Sequence, residues 1–251
     1  MTNPHDELIK RIEEALNTDE PRARQIVDSF ITFIATPLAR KLDEANGRDI
    51  AKRNPFVYAS LGIDKSNEWV DRVLADQLIS RAEGLIGNWI EDVARIMSGG
   101  VKPGGGSDLQ VERPDGVVDL YAIQMTTNTK NSGGGRSDRT GLDASSRVLT
   151  AHRRHVDRYV GYIFGRRKTT QRGGVTHLSS EDFWERIVGD REFLPKLLHA
   201  CTLLGQVYSL GTVRDVARVR VEAAELYGDR IGGIDWKKVI IPPPRRGNAK
   251  S

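Results

Sequence analysis

Hydrophobic residues recur at helical spacing in the first hundred positions of the chain. In residues 6–16 four apolar side chains share one helical face: Leu8, Ile9, Ile12 and Leu16. The same periodicity continues through residues 22–45, where Pro37 is expected to kink or divide the helix. Residues 67–97 predict one long helix or two stacked ones. The N-terminal region is therefore predicted to be helical.

Beyond a glycine-rich segment at residues 98–107, the hydrophobic period changes to two. Residues 108–113 and 117–127 predict two strands, and Pro114-Asp115-Gly116 between them favours a tight turn, so the pair predicts a β-hairpin. In the second strand alternate residues share a face: Leu120, Ala122 and Gln124 on one side, and Tyr121, Ile123 and Met125 on the other.

The remainder of the chain mixes helical and strand patterns. After a second glycine-rich segment at residues 132–137, residues 143–158 predict a helix and residues 159–164 a short buried strand. A basic loop at residues 165–174 precedes helices that begin at Ser180 and end near Tyr227. We interpret both glycine-rich segments as flexible joints. The order of elements predicts an α/β protein whose sheet core is wrapped by helices.

Composition narrows the class of protein. Hydrophobic residues make up 38% of the 251 positions and charged residues 29%, which is typical of a globular chain. No apolar run approaches the roughly 18 residues that span a bilayer. The N-terminus lacks the apolar segment of a signal peptide, and the single Cys201 excludes an intrachain disulfide. We therefore expect a cytoplasmic protein with no membrane partner.

Positive charge is concentrated in blocks, although the formal net charge is only +4. The blocks lie at residues 136–139, 147–158, 166–172 and 237–250. Such blocks neutralise the phosphates of nucleic acid, and equally they occur as solvated basic surfaces. The distribution is therefore compatible with DNA binding without requiring it.

The predicted hairpin brings a carboxylate and a polar residue together. Folding at Asp115-Gly116 places Asp108 near residues 121–124, at the end of the second strand that carries Gln124. A carboxylate there can bind a divalent cation, and a polar neighbour can position a water molecule. Hydrolysis of a phosphodiester with Mg²⁺ needs both functions.

A second carboxylate is expected for such a site. Asp119 faces the opposite side of its strand if alternation is strict, and Glu112 lies about 13 Å from Asp108 by strand rise. Glu83, in the helix that precedes the hairpin, is followed by Gly84 and Gly87, which allow close approach of backbone. We favour Glu83 over Glu91 and keep Asp119 as a lesser catalytic candidate.

In its order of elements and local patterns, the chain resembles the PD-(D/E)XK nuclease core and, more narrowly, type II restriction endonucleases. The segments that carry the resemblance are Asn54-Pro55-Phe56 with Gly62-Ile63, the Glu83 helix from Arg81 to Trp89, Gly106-Ser107-Asp108-Leu109 with Ala122-Ile123-Gln124, and Asp182-Phe183-Trp184 with Gly189-Asp190. The resemblance extends over roughly residues 54–205.

The resemblance implies a fold, a cofactor and roles for residues. The fold is a restriction-endonuclease-like mixed β-sheet flanked by helices: a helical region at 1–53, the nuclease domain at 54–236 and a basic flexible tail at 237–251. Asp108 and Glu83 would bind Mg²⁺, and Gln124 would orient the attacking water or the phosphate. The protein would act as a homodimer on a short, near-palindromic site in double-stranded DNA.

The chain departs from the family pattern at two positions of the second strand. The pattern has lysine where this chain has Gln124 and serine where it has Ala122. Glutamine orients water but carries no charge, which lowers electrostatic stabilisation of the transition state. Three interpretations stay open. Gln124 suffices for catalysis, Lys130 reaches back to the site from the following loop, or the site is catalytically silent and the protein only binds DNA.

The segment after Gln124 carries candidate DNA-binding residues, since it leaves the strand beside the predicted site. These are Asn128, Lys130, Arg136, Arg139 and Arg147. Arginine reads guanine by bidentate contact in the major groove, and it anchors phosphates at least as often. A helical protein-interaction domain with an incidental hairpin is the weakest alternative to a nuclease or a DNA-binding module.

Overall fold

The computed structural model describes residues 3–126, 132–165, 168–208, 212–229 and 231–240, without the side chains of residues 132–138 and 212–215. The chain forms two compact units, Met1–Phe33 with Leu85–Val207, and Ile34–Gly84 with Tyr208–Ser251. These divisions do not coincide with the boundaries expected at residues 53 and 236. That residues 54–236 form an independent domain stays a prediction.

Most of the described chain is helical. The helices are α1 (Pro4–Leu16), α2 (Glu20–Phe30), α3 (Thr36–Asp43), α4 (Gly47–Ile50), α5 (Pro55–Ser60), α6 (Ser66–Ser98), α7 (Ser132–Ala151), α8 (Ser180–Val188), α9 (Phe193–Tyr208), α10 (Thr212–Tyr227) and α11 (Trp236–Ile240). The long helix predicted at residues 67–97 is confirmed as α6. The break expected at Pro37 is also confirmed, because a π-helical turn at Ile31–Ala35 separates α2 from α3.

The first unit contains a five-stranded mixed sheet. Its strands are β1 (Leu109–Glu112), β2 (Val118–Gln124), β3 (Val156–Tyr162), β4 (Thr170–Arg172) and β5 (Val175–Leu178), in the order β1-β2-β3-β5-β4. The strands β2, β3 and β5 run parallel, whereas β1 and β4 pair antiparallel at the two edges. The predicted hairpin and the mixed α/β sheet flanked by helices are both confirmed.

Helix α7 connects β2 to β3 and covers one face of the sheet. A buried cluster joins the helix to three strands: Val118, Leu120, Ala122, Leu142, Val160, Tyr162 and Val175. We call this side of the sheet the α7 face. The opposite side packs on α8, where Phe183 lies so close to β3 that a Cβ at Gly161 would be 2.2 Å from its ring.

The helix predicted at residues 143–158 is wrong at both ends. The glycine-rich residues 132–137, which we interpreted as a flexible joint, lie within α7. At the other end, Arg153 adopts a left-handed conformation with φ 59°, and the amide of Arg154 donates to the carbonyl of Leu149. This left-handed turn ends the helix, so β3 starts at Val156 rather than at residue 159.

The segment predicted as a basic loop at residues 165–174 contains a strand. Residues of β4 pair antiparallel with β5 through a turn at Gly173 and Gly174, whose φ angles are +61° and +73°. Two consecutive positive φ angles suit glycine, which has no Cβ to clash. The guanidinium of Arg158 donates to the carbonyl of Gly174 at 3.1 Å and holds the turn.

The second unit has its own aromatic core around Trp69, which contacts the rings of Tyr227 and Trp236 edge-on. Part of the predicted flexible tail belongs to this unit, because residues 237–240 lie in α11 and Val239 is buried. Residues 241–251 lie outside the described residues. Of the helices that the structure describes, none is both long and apolar enough to cross a membrane.

Candidate active site

Asp108 lies immediately before β1 and is tied to β2 through the main chain. Its amide donates to the carbonyl of Tyr121 at 2.8 Å, and its carboxylate Oδ2 accepts a hydrogen bond from the amide of Ile123 at 2.7 Å. These two peptide groups flank Ala122. The carboxylate is therefore held beside the end of β2, as the predicted hairpin required.

The glycine-rich segment before Asp108 is packed against α7 rather than being a flexible joint. Ser107 is buried, and its hydroxyl lies 2.9 Å from the hydroxyl of Ser145. A Cβ at Gly141 would lie 2.3 Å from the carbonyl oxygen of Gly106. Only glycine at position 141 permits this approach of the two backbones. The contact fixes the chain just ahead of Asp108.

Gln124 ends β2 on the α7 face. It is 8% exposed, pairs with Tyr162 of β3, and its carbonyl accepts a hydrogen bond from the amide of Ile163 at 2.9 Å. Ala122, two residues earlier, shares the same face. The end of β2 therefore carries the Gln124 amide and the Ala122 methyl group on one face, and its main chain at Ile123 binds the Asp108 carboxylate.

The donor set at this end of the sheet decides whether a magnesium ion fits. Among the described residues there is no cluster of three or more His, Cys, Asp or Glu side chains able to hold a metal. Magnesium is commonly bound by one or two protein carboxylates, with substrate phosphates and water completing its shell. The Asp108 carboxylate meets the lower end of that requirement. A magnesium ion here would therefore take one carboxylate from the protein and most of its shell from DNA phosphate and water.

Two carboxylates of α6, Glu83 and Glu91, are the candidates for a second metal ligand beside Asp108, and neither is shown to contact Asp108. Glu83 is an exposed residue of α6 and belongs to the second unit, whereas Asp108 belongs to the first. Its metal-binding role stays a prediction. Glu91, further along α6 in the first unit, is half-buried and lies 3.8 Å from the ammonium group of Lys102.

Asp119 lies on the opposite side of the sheet from Gln124. It is 2% exposed, and its Oδ2 accepts hydrogen bonds from Arg186 of α8 at 2.8 Å and from the Tyr121 hydroxyl at 3.2 Å. Arg113 adds a second positive charge 3.6 Å from Oδ1. The structure therefore places Asp119 in a buried ion-pair network, away from Asp108.

Two tyrosines share this network and are held in their neutral form. Desolvation, together with the negative charge of Asp119, raises the pKa of Tyr121 far above its usual range. The same causes raise the pKa of Tyr159 to about 12. The Arg186 guanidinium lies over the Tyr159 ring, 4.3 Å from its centroid. The phenols serve this network as neutral hydrogen-bonding and packing groups.

Three of the five predicted DNA-binding residues belong to α7, and two lie outside the described residues. Arg147 is exposed on α7 beside Ser146 and Thr150, at a surface cavity of about 540 Å³. Arg139 is also exposed, and its guanidinium donates to the carbonyl of Gly173 at 3.5 Å. Asn128 and Lys130 lie outside the described residues. Arg136 belongs to α7, but its side chain is outside the described part.

Two polar residues on the α7 face, Tyr162 and His177, are not among the site residues predicted from the sequence. The Tyr162 hydroxyl lies 3.3 Å from Nδ1 of His177. Residues 175–178 form a strand in which His177 shares a face with Val175. The strand has the sequence Val-Thr-His-Leu, with its two polar residues in the middle, so it shows no alternation of apolar and polar positions from which a strand could be predicted.

Comparison with known proteins identifies a family whose model matches most of the chain. The family model described as type II restriction endonuclease EcoO109I matches residues 23–204, nearly three-quarters of the chain. The matched range includes Asp108, Gln124, Tyr162 and His177. No curated protein matches the chain.

Proposed function

This chain belongs to the EcoO109I family of type II restriction endonucleases, and from that membership we propose that it cleaves double-stranded DNA at a specific site with Mg²⁺. The observation that carries the proposal is the position of Asp108. Its carboxylate accepts a hydrogen bond from the amide of Ile123, one residue before Gln124 at the carboxyl end of β2. A scissile phosphate brought to this end would meet an anionic metal ligand and a neutral hydrogen-bonding group.

Each residue has a distinct role in the proposed reaction. When bound, the magnesium ion supplies Lewis-acid polarisation of the phosphate. Asp108 would hold that cation, and the amide of Ile123 holds the Asp108 carboxylate in place. The side-chain amide of Gln124 orients the attacking water in line with the leaving oxygen. The family pattern has a positively charged lysine at this position, whereas Gln124 is neutral. Stabilisation of the developing negative charge therefore depends more on hydrogen bonds in this chain.

We propose that the enzyme acts as a homodimer on a near-palindromic site, since two-fold symmetry in a protein matches two-fold symmetry in DNA. Exposed arginines of α7, above all Arg147, supply contacts to the DNA backbone. Arg139 supports the β4–β5 turn through the Gly173 carbonyl, so its contribution to DNA binding is indirect.

A second candidate function is DNA binding without cleavage. The observation that favours it is the absence of charge in two side chains, Ala122 and Gln124, that lie beside Asp108 at the end of β2. A protein of this kind would protect or mark DNA rather than cut it. It would bind DNA equally well with and without magnesium.

Plasmid digestion by purified protein distinguishes the two functions. We expect discrete fragments in Mg²⁺, none in EDTA, and none from Asp108→Asn, which removes the charge while retaining an oxygen for the Ile123 amide. The matched control is Glu112→Gln, because Glu112 is an exposed carboxylate on the same hairpin. Intact plasmid with a retained gel shift would establish the silent DNA-binding protein instead.

A further inference from the structure

An aromatic side chain is exposed at the carboxyl end of β3, next to the end of β2. Phe164 is 42% exposed. Its amide donates to the carbonyl of Met125 at 3.1 Å, and the preceding amide, of Ile163, donates to the carbonyl of Gln124. The main chain of Phe164 therefore runs one strand spacing, about 4.8 Å, from the residue that follows Gln124. Phe164 lies at the end of the sheet that carries Asp108.

The chain turns sharply after Phe164. Gly165 has a φ of +120°, a conformation that residues with a Cβ rarely adopt. The chain therefore leaves the direction of β3 directly after Phe164, and the sheet does not extend over the ring. Residues 166 and 167 lie outside the described residues, and Lys168 lies two residues before the start of β4.

Lys168 carries a positive charge at the same end of the sheet, because β4 pairs antiparallel with β5 and so begins where β5 ends. The adjacent Thr169 is tied to the start of α8: its hydroxyl accepts a hydrogen bond from the amide of Ser179 at 2.8 Å and donates to Asp182. Lys168 itself is exposed, and no carboxylate of the described residues forms an ion pair with it. Its ammonium group can therefore bind an anion brought to this surface.

A surface cavity of about 580 Å³ lies beside Lys168 at the start of α8. The cavity also contains acidic side chains. Glu181 and Asp182 form ion pairs with Arg191 at 3.3 and 2.9 Å, and Glu192 is exposed. These carboxylates disfavour a phosphate inside the cavity. An anion is therefore expected at its rim, on the ammonium group of Lys168.

We propose that Phe164 and Lys168 contact the sugar–phosphate backbone of bound DNA, with the ring packed on a deoxyribose and the ammonium group on a neighbouring phosphate. The proposal rests on the proposed function, because it takes the end of the sheet near Asp108 as the place where DNA lies. Gly165, the residue after Phe164, lines the same cavity as Lys168, so the two side chains belong to one surface. A DNA strand alternates apolar sugars with anionic phosphates, which matches an exposed ring beside a cation.

The two contacts depend on salt in different ways. A Lys–phosphate contact releases counterions, so each one adds about 0.9 to the slope of log affinity against log salt. Packing of an apolar ring is driven by loss of water contact and adds nothing to that slope. Neither contact reads bases, so all DNA sequences should be affected alike. Residues that only stabilised the fold would change thermal stability and leave the salt slope of folded protein unchanged.

The test uses a removal and a conservative replacement at each position. Phe164→Ala removes the ring and Phe164→Leu keeps an apolar side chain, whereas Lys168→Gln removes the charge and Lys168→Arg keeps it. The matched controls are Leu198→Ala, at a 61% exposed apolar residue of α9, and Lys10→Gln, at an exposed lysine of α1. Affinity for a linear plasmid fragment is measured in Ca²⁺ at several salt concentrations. Thermal unfolding identifies folded variants, and sedimentation without DNA gives their oligomeric state.

We expect Lys168→Gln to lower the salt slope by about 0.9 and Lys168→Arg to leave it unchanged. Phe164→Ala should bind about fivefold more weakly at every salt concentration, the effect of no longer burying the exposed two-fifths of a phenylalanine side chain. Phe164→Leu should recover most of that affinity. Both controls should match the wild type in affinity, slope and oligomeric state.

The outcomes separate this proposal from the proposed function. If wild type cuts DNA and folded Phe164→Ala and Lys168→Gln bind with wild-type affinity and slope, the backbone contact is wrong and the nuclease stands. If wild type binds without cutting and both variants show the expected losses, the contact stands and cleavage does not.

Two further results would overturn the contact of Phe164 with a sugar. Binding by Phe164→Leu as weak as that by Phe164→Ala would mean that the aromatic ring itself is needed, as in stacking on a base. A changed oligomeric state of Phe164→Ala without DNA would assign the ring to an interface between two copies of the chain.

Discussion

At the scale of single residues, the contact of Asp108 with the end of β2 could be predicted from the sequence, whereas the partners of Asp119 could not. A hairpin with Asp115-Gly116 at its turn was enough to predict that Asp108 would meet residues 121–124, and the structure brings them together. Only part of the environment of Asp119 could be predicted from the sequence. Alternation predicted its face, but its partner Arg186 is 67 residues away, and no local pattern identifies such a contact.

Gln124 is the residue on which catalysis is predicted to depend most after Asp108. Gln124→Leu keeps similar volume at a buried position and removes the amide, so the cleavage rate should fall about 10²-fold, as expected for loss of an oriented hydrogen-bonding group in an active site. Single-turnover cleavage at saturating protein measures the rate, and a gel shift in Ca²⁺ controls for binding. A rate equal to wild type would mean that another residue, such as Lys130, orients the water.

Asp119 is predicted to contribute to stability rather than to cleavage. Asp119→Asn leaves Arg186 and Arg113 without their buried partner and should lower the free energy of unfolding by about 3 kcal/mol, the usual cost of breaking a buried pair. Urea denaturation measures the loss. In the same hairpin as Asp119, Glu112→Gln breaks an exposed ion pair with Arg154, which precedes β3, and should cost about 0.5 kcal/mol or less. Comparable losses in both variants would refute the buried-network account.

At the scale of elements, long periodic segments were predictable and short or irregular ones were not. The helix α6 is 33 residues long, and its apolar residues recur on one face, a periodicity that can be detected in the sequence. The strand β4 has three residues, all exposed, so it shows no hydrophobic alternation at all. The end of α7 was missed because an arginine, Arg153, takes the left-handed position that glycine usually fills.

The contact between the glycine-rich segment and α7 gives a prediction about an element junction. A methyl group at Gly141 would meet the Gly106 backbone, so Gly141→Ala should lower stability by about 1–3 kcal/mol and reduce cleavage by displacing Asp108. Gly205→Ala is the matched control, because a Cβ there meets nothing within 4 Å. In an open helical position the same substitution should stabilise by about 0.5–1 kcal/mol. Chemical denaturation of both variants checks the opposite signs.

At the scale of the whole molecule, composition indicated a globular chain but did not predict how its elements are arranged. The local patterns that resemble restriction endonucleases were enough to predict the family, and the match over residues 23–204 confirms it. The two compact units could not be predicted, because each is built from segments far apart in the chain. Non-local packing of this kind has no signature in local periodicity.

The basic surface of α7 yields a prediction about the whole DNA complex. If Arg147 binds a phosphate, Arg147→Ala should reduce the slope of log affinity against log salt by about 0.9 and weaken binding similarly for all sequences. Arg22→Ala removes another exposed arginine, on α2 and outside the matched residues 23–204, and should leave the slope unchanged. Titrations at several salt concentrations decide between them. An unchanged slope for Arg147→Ala would remove it from the DNA interface.

Sequencing the ends of DNA fragments tests the central claim most directly. Genomic DNA is digested by the wild-type protein in Mg²⁺, in parallel with EDTA and with Asp108→Asn, and the new ends are mapped. The account predicts that ends from the wild type fall at one short, near-palindromic sequence and that both parallel digestions yield no new ends. Ends scattered without a common sequence, or ends that persist in Asp108→Asn, would contradict a site-specific nuclease centred on Asp108.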